Sequence, residues 1–213
     1  SYIKSGTVSN CLIISGEFIS SICINAIKNI ITPSSQELAS LTVGDAGAAG
    51  VIEKTSVENG FEVLNLETFS QYSKLCTAHL SSKYPGAQMF TQMKKLFQVS
   101  IAEAPPFIEE SLKESGLTYG DMDFVIPHQT AKRAILSGAR NFQSYFKASP
   151  KEIIYNLHLY ANTASTTHFL ALYMMLKEKR IKKDQRILLL GFASGLVMGV
   201  LVFKLNHIIE KYG

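Results

Sequence analysis

The sequence predicts a layered α/β domain, and three features of its 213 residues support this prediction. Apolar strands and helical segments alternate along the second half of the chain, and two consecutive apolar strands close it. Hydrophobic residues make up 46% of the chain and charged residues only 18%, so a chain of this length can bury a substantial core. Alternating strands and helices are typical of a sheet covered by helices.

The N-terminal quarter predicts two strands separated by irregular chain. The first residues are interpreted as the end of a helix that stops at Gly6, and the apolar strand Asn10–Gly16 follows. Residues 17–40 are polar and expected to be irregular. The second strand, Leu41–Lys54, is rich in Gly and Ala, and such small residues let another backbone or a helix approach closely. A phosphate-binding loop is the alternative reading, but the stretch has neither GxGxxG nor a Lys-Ser/Thr ending.

The middle of the chain predicts turns followed by one long helix. Turn-forming residues are spread over residues 55–87, and a helical pattern then runs from Ala87 towards Leu112. We expect Pro105-Pro106 to kink or restart this helix, because proline lacks the backbone donor and clashes one turn back. Gly116 is expected to end the helix in a left-handed conformation.

From residue 124 onward the alternation of elements is clear. The predicted elements are the strand Phe124–Ile126 closed by Pro127, the helix Gln129–Phe142, a short helix to Tyr155, a helix from Ala164 to Lys177–Arg180, and the strands Arg186–Gly191 and Leu196–Leu205. The short helix is predicted from Ser149-Pro150-Lys151-Glu152, which has the spacing of a capping box with proline at the first helical position.

The charge and the N-terminal sequence limit the classes of function. The net charge of +4 comes from basic groups at Lys132–Arg133 and within 177–183. A nucleic-acid-binding protein would have a denser basic patch with interleaved aromatic residues, so we expect no nucleic-acid partner. The groups are interpreted as solvated surface, with an acidic protein or a phosphate-bearing ligand as the alternative. No apolar run could span a bilayer, and no signal peptide is evident, so the expected location is cytoplasmic.

The three cysteines indicate neither a disulfide framework nor a metal site. Cys11, Cys23 and Cys76 are odd in number and have no CxxC spacing. We therefore expect no metal and no bound cofactor.

Three features could carry chemistry. His128 follows a strand and opens a helix, a position that faces the ligand crevice of an α/β sheet. The positive end of a helix there would keep the imidazole neutral. Asn162 precedes a helix, where it could act as a functional amide or simply as an N-cap. The small-residue segment Gly191–Gly195 joins two strands, either as an oxyanion hole of backbone amides or as a plain hairpin. The other histidines, His79, His158, His168 and His207, are interpreted as surface or satisfied core residues.

Taken together, these features resemble the β-ketoacyl-acyl carrier protein synthase III family of the thiolase-like superfamily. The residues that carry the resemblance are Pro127-His128-Gln129 with Arg133, Asn162-Thr163 before a small-residue helix, and Gly191-Phe192-Ala193-Ser194-Gly195. Two upstream segments, Tyr2–Gly6 and Gly44–Ala49, match family segments in the same order. The resemblance covers nearly the whole chain and is weakest across residues 55–100.

The resemblance implies a decarboxylative Claisen condensation. A family cysteine takes an acyl group from acyl-CoA, and His128 and Asn162 would hydrogen-bond the malonyl thioester carbonyl as carbon dioxide leaves. The amide of Ser194 would contribute to the oxyanion hole, and Phe192 would line the site. Arg133 would lie near the mouth of the pantetheine tunnel and meet CoA or an acyl carrier protein. The substrates would be acyl-CoA and malonyl-acyl carrier protein.

The chain departs from the family pattern at several positions. Thr130-Ala131 replaces Ala-Asn after the His-Gln pair, Ala161 stands where a Gly usually precedes the Asn, and Ala193-Ser194 makes the last turn less glycine-rich. The largest departure concerns the nucleophile, since the family cysteine lies upstream of the segment matching Tyr2–Gly6. We therefore expect this chain to be inactive by itself.

The implied fold is the thiolase-like α-β-α-β-α layering. Residues 1–86 would form the remaining part of the N-terminal half, and residues 87–213 the whole C-terminal half. Exposed strand edges would favour a homodimer or a complex with the missing N-terminal portion. A non-catalytic ketosynthase-like subunit or interaction protein is the alternative function.

Overall fold

The computed structural model describes residues 2–55, 60–206, 208 and 209. Its strands are β1 (Asn10–Glu17), β2 (Ala46–Glu53), β3 (Gly60–Thr68), β4 (Cys76–Leu80), β5 (Ala87–Thr91), β6 (Phe124–Pro127), β7 (Glu152–Ile153), β8 (Ile187–Ala193) and β9 (Val197–Lys204). Its α-helices are α1 (Ser20–Asn29), α2 (Met93–Lys113), α3 (Lys132–Phe146), α4 (Leu157–Tyr160) and α5 (Thr167–Lys177). Short 3-10 helices cover Gln36–Thr42, Ser70–Leu75, Tyr119–Asp121 and Ala164–Thr166.

A five-stranded mixed sheet with the order β3-β9-β8-β6-β7 forms the centre of the molecule. β6 runs parallel to β7 and β8, whereas β9 is antiparallel to both β8 and β3. Helix α2 packs against one face of the sheet and α5 against the other, so two apolar cores flank the strands. Strands covered on both faces read as continuous apolar runs, which is why the stretches at β6 and β8 could be recognised in the sequence.

Two antiparallel strand pairs stand apart from this sheet. β1 pairs with β2 over their full length, and we call this pair the ribbon. β4 pairs with β5 as a separate hairpin. The Nδ2 group of buried Asn25, on α1, donates hydrogen bonds to the carbonyl oxygens of Pro85 and Ala87 at 3.0 Å each and so ties α1 to that hairpin.

The elements after residue 124 largely follow the predictions. The strands β6, β8 and β9, helix α3, and the 3-10 helix Ala164–Thr166 continued by α5 all lie within a few residues of their predicted bounds. The predicted short helix ending at Tyr155 is wrong. Glu152 donates its N–H to Asp123 O at 3.0 Å and Ile154 to Val125 O at 2.9 Å, so the segment pairs with β6 instead. Pairing with a buried strand outweighs the local capping pattern.

The long helix is continuous across its two prolines, which corrects the expected restart. Helix α2 begins at Met93 because residues 87–91, predicted as helical, pair with β4 instead. Its buried side chains recur at helical spacing through the prolines, at Ala104, Pro105, Phe107, Ile108, Ser111 and Leu112. Packing of this face on the sheet maintains the helix although each proline removes one backbone hydrogen bond.

The first 55 residues differ most from the predictions. Residues 2–6 form turns rather than a helix, although Gly6 does end them with φ of +76°. Residues 17–40 are not irregular, since they contain α1. The N-terminus of α1 is capped by Asp45, whose Oδ1 accepts the N–H groups of Ile19 at 2.7 Å and Ser20 at 2.8 Å. No local cap marked this helix in the sequence because its cap is about 25 residues away.

Candidate active site

His128 lies at the carboxyl end of β6, where its backbone continues the pairing with β8. Pro127 is paired with Leu190, and the His128 N–H donates to Leu190 O at 2.8 Å. The imidazole is half-buried, and burial, followed by the nearby His168, lowers its pKa to about 4. His128 is therefore neutral at neutral pH, although the cause is burial and not the expected helix N-terminus, since α3 begins only at Lys132. A neutral imidazole can donate one N–H to a ligand oxygen.

A second histidine, His168, lies beside His128. The two ring centroids are 6.3 Å apart and the planes are inclined by 38°. His168 Nε2 lies 3.2 Å from the same Leu190 carbonyl oxygen, and because that oxygen can only accept, Nε2 carries the proton. Burial lowers the pKa of His168, while this hydrogen bond raises it. The sequence interpretation of His168 as a satisfied core residue missed its proximity to His128, because the two histidines lie on different elements.

Gln129 holds the loop that carries His128, a role that sequence reasoning also missed. The side chain is fully buried. Its Nε2 donates to Pro127 O at 2.8 Å and to Ile154 O at 3.2 Å, and its Oε1 accepts the Asn156 N–H at 3.0 Å. An amide that satisfies three backbone groups in a buried position fixes the path of the chain on both sides. The only sequence signal was a glutamine directly after the candidate histidine.

Asn162 is held by the chain that leads into the ribbon. Its N–H donates to Thr42 O at 2.7 Å, and its carbonyl oxygen accepts the Gly44 N–H at 2.9 Å. Its side-chain Oδ1 accepts the Ala164 N–H at 3.1 Å, so the capping role that competed with a functional one is present. The cap uses the amide oxygen. The amide NH2 has no hydrogen bond among the described residues and is the end that can donate to a ligand.

The residue before Asn162 has an unusual backbone conformation. Ala161 has φ of 60° and ψ of −161°, a region that is essentially restricted to glycine and costs about 1–3 kcal/mol for other residues. The neighbouring chain is equally constrained, because a Cβ on Gly44 would lie 2.6 Å from Tyr160 O and 3.1 Å from Ala161 Cβ. The position of Asn162 therefore depends on close backbone packing.

The segment Gly191–Gly195 completes β8 and turns into β9. Gly195 has φ of +120°, and Ser194 is exposed and donates its Oγ–H to Cys76 Sγ at 3.3 Å. Phe192 is half-buried and packs against the main core. The plain hairpin is thus present. It lies at the same end of the strands as His128, because β6 and β8 are parallel and end side by side.

The structure brings together part of the predicted site. His128, His168 and the end of β8 meet at one sheet edge. Among the described residues no hydrogen bond joins His128 to Asn162 directly. Arg133 lies in the first turn of α3 with an exposed side chain, and the adjacent Lys132 ammonium lies 5.1 Å from the centre of the Tyr155 ring.

Residues 2–55, 60–206, 208 and 209 contain neither a metal-binding cluster nor a membrane-spanning helix. No group of three or more His, Cys, Asp or Glu side chains in these ranges is arranged to hold a metal ion. In the same ranges no helix combines the length and the apolar content that crossing a membrane requires. His207 lies outside the described residues.

Comparisons with known proteins agree with the sequence resemblance. Residues 112–205 match the family described as 3-oxoacyl-[acyl-carrier-protein] synthase III C terminal. Over this segment the chain is similar to the C-terminal part of a 3-oxoacyl-[acyl-carrier-protein] synthase III. The β-ketoacyl-[acyl-carrier-protein] synthase III of Blochmanniella floridana is 28% identical over 207 residues, which are 95% of this chain and 61% of that protein. The corresponding protein of Baumannia cicadellinicola is 25% identical over 201 residues, covering 93% and 59%.

Solved structures confirm the thiolase-like fold class. OleA of Xanthomonas campestris aligns with a TM-score of 0.80 at 20% identity, over 96% of this chain and 59% of that chain. A 3-oxoacyl-(acyl carrier protein) synthase III from Pseudomonas aeruginosa aligns with a TM-score of 0.76 at 18% identity, over 95% and 60%. This synthase III-like chain thus spans about three fifths of the length of the relatives it matches. All five predicted site residues lie within the segment that matches the family.

Proposed function

We propose that this synthase III-like chain is part of a condensing enzyme that joins an acyl thioester to a malonyl thioester in fatty-acid or polyketide-like synthesis. The observation that carries the proposal is a neutral, half-buried His128 at the sheet edge, within the segment matching the family. Asn162 supports it, because its amide oxygen is anchored and its NH2 group is left to donate.

In the proposed reaction, the bond from the malonyl α-carbon to the carboxylate breaks and carbon dioxide leaves. The electron pair moves into an enolate, whose oxygen would accept hydrogen bonds from the imidazole N–H of His128 and the amide NH2 of Asn162. Donors placed where charge develops stabilise the transition state most. The enolate carbon then attacks the acyl thioester carbonyl, with the Ser194 amide in the oxyanion hole, and a thiolate leaves as the new carbon–carbon bond forms.

The nucleophile that would carry the acyl group is proposed to come from residues outside this chain. Cys11 is exposed on β1 and Cys23 is half-buried in α1. Cys76 contacts the candidate site, since its sulfur accepts a hydrogen bond from Ser194 Oγ at 3.3 Å. We propose that the chain alone does not condense acyl-CoA with malonyl-acyl carrier protein. Condensation by the chain that is lost on Cys76→Ala would overturn this part of the proposal.

The partners of the proposed enzyme are acyl carrier protein and CoA thioesters. Exposed Arg133 in the first turn of α3, next to Lys132, supports contact with phosphates or an acidic protein surface. We further propose a cytoplasmic location, on the resemblance alone.

The exposed apolar side chains of the ribbon support assembly with another chain or with an N-terminal portion, as a homodimer or a complex. Leu12, Ile14 and Val51 on β1 and β2 expose 59%, 73% and 63% of their surface, and Phe18 exposes 83%. Contiguous apolar surface of this kind usually marks an interface. We also propose that residues 1–86 and residues 87–213 belong to the N-terminal and C-terminal halves of the fold, respectively. Strand β3 of the first part nevertheless pairs with β9 of the second.

The proposed function is tested by malonyl-thioester decarboxylation in the full-length protein. We expect His128→Ala and Asn162→Ala each to lower kcat by about 100-fold or more, the usual cost of removing an oxyanion donor. His158→Ala, at an exposed histidine, is the matched control and should keep the wild-type rate. Unchanged rates in both site variants would contradict the mechanism and favour the second candidate, a non-catalytic ketosynthase-like subunit.

Two observations favour this second candidate: the strained backbone of Ala161 and the altered residues Thr130-Ala131.

A further inference from the structure

The carbonyl oxygen of Leu190 accepts two hydrogen bonds that both lead to histidines. One comes from the backbone N–H of His128 at 2.8 Å and the other from the ring Nε2–H of His168 at 3.2 Å. Leu190 itself is buried in the centre of the sheet. One fixed acceptor therefore sets the position of the main chain at His128 and the orientation of the ring at His168.

The surroundings of His168 hold its ring in one state. His168 is the second residue of α5, where the positive end of the helix disfavours an imidazolium. The helix start is fixed by buried Thr163 and Thr167, whose hydroxyl oxygens lie 3.2 Å apart. Among the described titratable groups, His168 is the one whose charge acts on His128. A ring with its Nε2–H committed to Leu190 and its plane 38° from that of His128 thus acts as a rigid neighbour.

We propose that His168 is a positioning residue for His128: it shares the Leu190 carbonyl with the His128 backbone and confines the His128 imidazole from the α5 side of the sheet. Gln129 fixes the same loop from the β7 side, through Pro127 and Ile154. His128 is thereby held between the buried side chain of Gln129 and the half-buried ring of His168. This inference rests on the proposed function of His128 as an enolate-stabilising donor, and it adds a residue that the resemblance does not assign.

The role of His168 and Gln129 beside His128 follows from the geometry that a hydrogen-bond donor needs. A hydrogen-bond donor acts on a developing oxyanion only when it lies within hydrogen-bonding distance and in line with it. Misplacement by about 1 Å can cost about 100-fold in rate. The His128 ring is attached at a strand end. The Leu190 bond reaches its backbone, and the Gln129 bonds reach Pro127, Ile154 and Asn156, so neither holds the ring. The His168 ring lies beside it, with the two centroids 6.3 Å apart.

The test compares two substitutions at residue 168 in the full-length protein. His168→Leu removes the donor to Leu190 while keeping apolar volume, and His168→Gln supplies an amide Nε2–H that can reach the same oxygen. We expect His168→Leu to lower kcat for malonyl-thioester decarboxylation by about 10-fold with KM within about twofold of wild type. His168→Gln should restore kcat to within about threefold. His158→Leu, the same substitution at an exposed histidine, should change neither value.

A second readout does not depend on activity. The ring nitrogen shifts of His128 and its pKa, followed by nuclear magnetic resonance and assigned with His128→Gln, should change in His168→Leu. The pKa of His128 should rise from about 4, because the electrostatic influence of His168 that lowers it is removed, yet stay below its ordinary value because burial remains. If His168→Leu does not fold, His168→Asn replaces it, since its shorter amide does not reach Leu190.

The outcomes separate the two proposals. His128 ring shifts that are unchanged in His168→Leu, or an unchanged kcat while His128→Ala abolishes turnover, would overturn the positioning role and leave the proposed function intact. Unchanged turnover in His128→Ala would instead overturn the proposed function. Failure of His168→Gln to restore kcat would likewise contradict the role of the shared carbonyl.

Discussion

The five-stranded sheet and the ribbon both carry apolar side chains but bury them very differently. Leu188 in β8 is fully buried in the core on the α2 side of the sheet, whereas Leu12 in β1 exposes 59% of its surface. The sheet thus has its own core within this chain, and the ribbon has no equivalent cover among the described residues. The comparison shows that the candidate site is built across two regions: His128 belongs to the covered sheet, and Asn162 is bonded to the chain leading into the ribbon.

The largest expected effect comes from truncating the same residue type in the two regions. Leu188→Ala should lower the free energy of unfolding by about 3–5 kcal/mol, because it removes a buried side chain and leaves a cavity. Leu12→Ala should change it by less than about 0.5 kcal/mol in the same chain. Urea unfolding of both variants measures the difference. Equal losses would show that the ribbon is buried by an assembly under the conditions of the measurement.

Acidic pH should lower the free energy of unfolding, because His128 in the five-stranded sheet is buried in its neutral form. Its pKa is about 4 when folded and 6.5 when unfolded, so between these values the unfolded chain binds a proton that the folded chain does not. Stability is therefore fully present above pH 6.5 and falls as the pH drops towards 4, by on the order of 2–3 kcal/mol. The lowered pKa of His168 adds to the loss in the same direction.

Unfolding free energies measured from pH 7 to pH 4 check this prediction. His128→Gln, which has no titrating ring, should show a shallower decline than wild type. His79→Gln, at an exposed histidine, should follow the wild-type curve. A decline that His128→Gln does not reduce would contradict the burial of a neutral His128.

The smallest predicted effect concerns the contact between the two regions. In Gly44→Ala the new Cβ would lie 2.6 Å from Tyr160 O, so the backbone must shift, and we expect a loss of about 1–3 kcal/mol. Gly47→Ala is the control, because no atom lies within 4 Å of the Cβ that it would add. Thermal unfolding compares the two, and similar midpoints would show that the close approach at Gly44 is not maintained in solution.

The sequence predicted the covered region well because the signals there are local. β8 and β9 are apolar runs joined by a small-residue turn, and α5 has its basic residues at the C-terminal end. His128 could be predicted as a candidate site residue because a strand end followed by a helix is a local pattern. The order of motifs then extended the prediction to Asn162, whose backbone bonds to Thr42 and Gly44 were not predictable.

The parts that could not be predicted depend on distant partners. Helix α1 is capped by Asp45, and β7 forms only because β6 is available to pair with it. His168 was read as an ordinary core residue, since nothing in its own segment refers to His128. In each case the deciding hydrogen bond joins residues that are far apart in sequence, which no periodicity or capping pattern encodes.

The backbone bonds of Asn162 link the chemistry to the state of the ribbon. Asn162 is bonded on both sides to the segment Thr42–Gly44, which leads directly into β2, and the next turn is tied to β1 by the bonds of Ser165 with Ser15 and Glu17. A change in the conformation of the ribbon would therefore also move the Asn162 amide, which is proposed to face the substrate. Under the proposed function, a partner that docks on the ribbon would therefore also position the Asn162 amide, one of the two proposed hydrogen-bond donors.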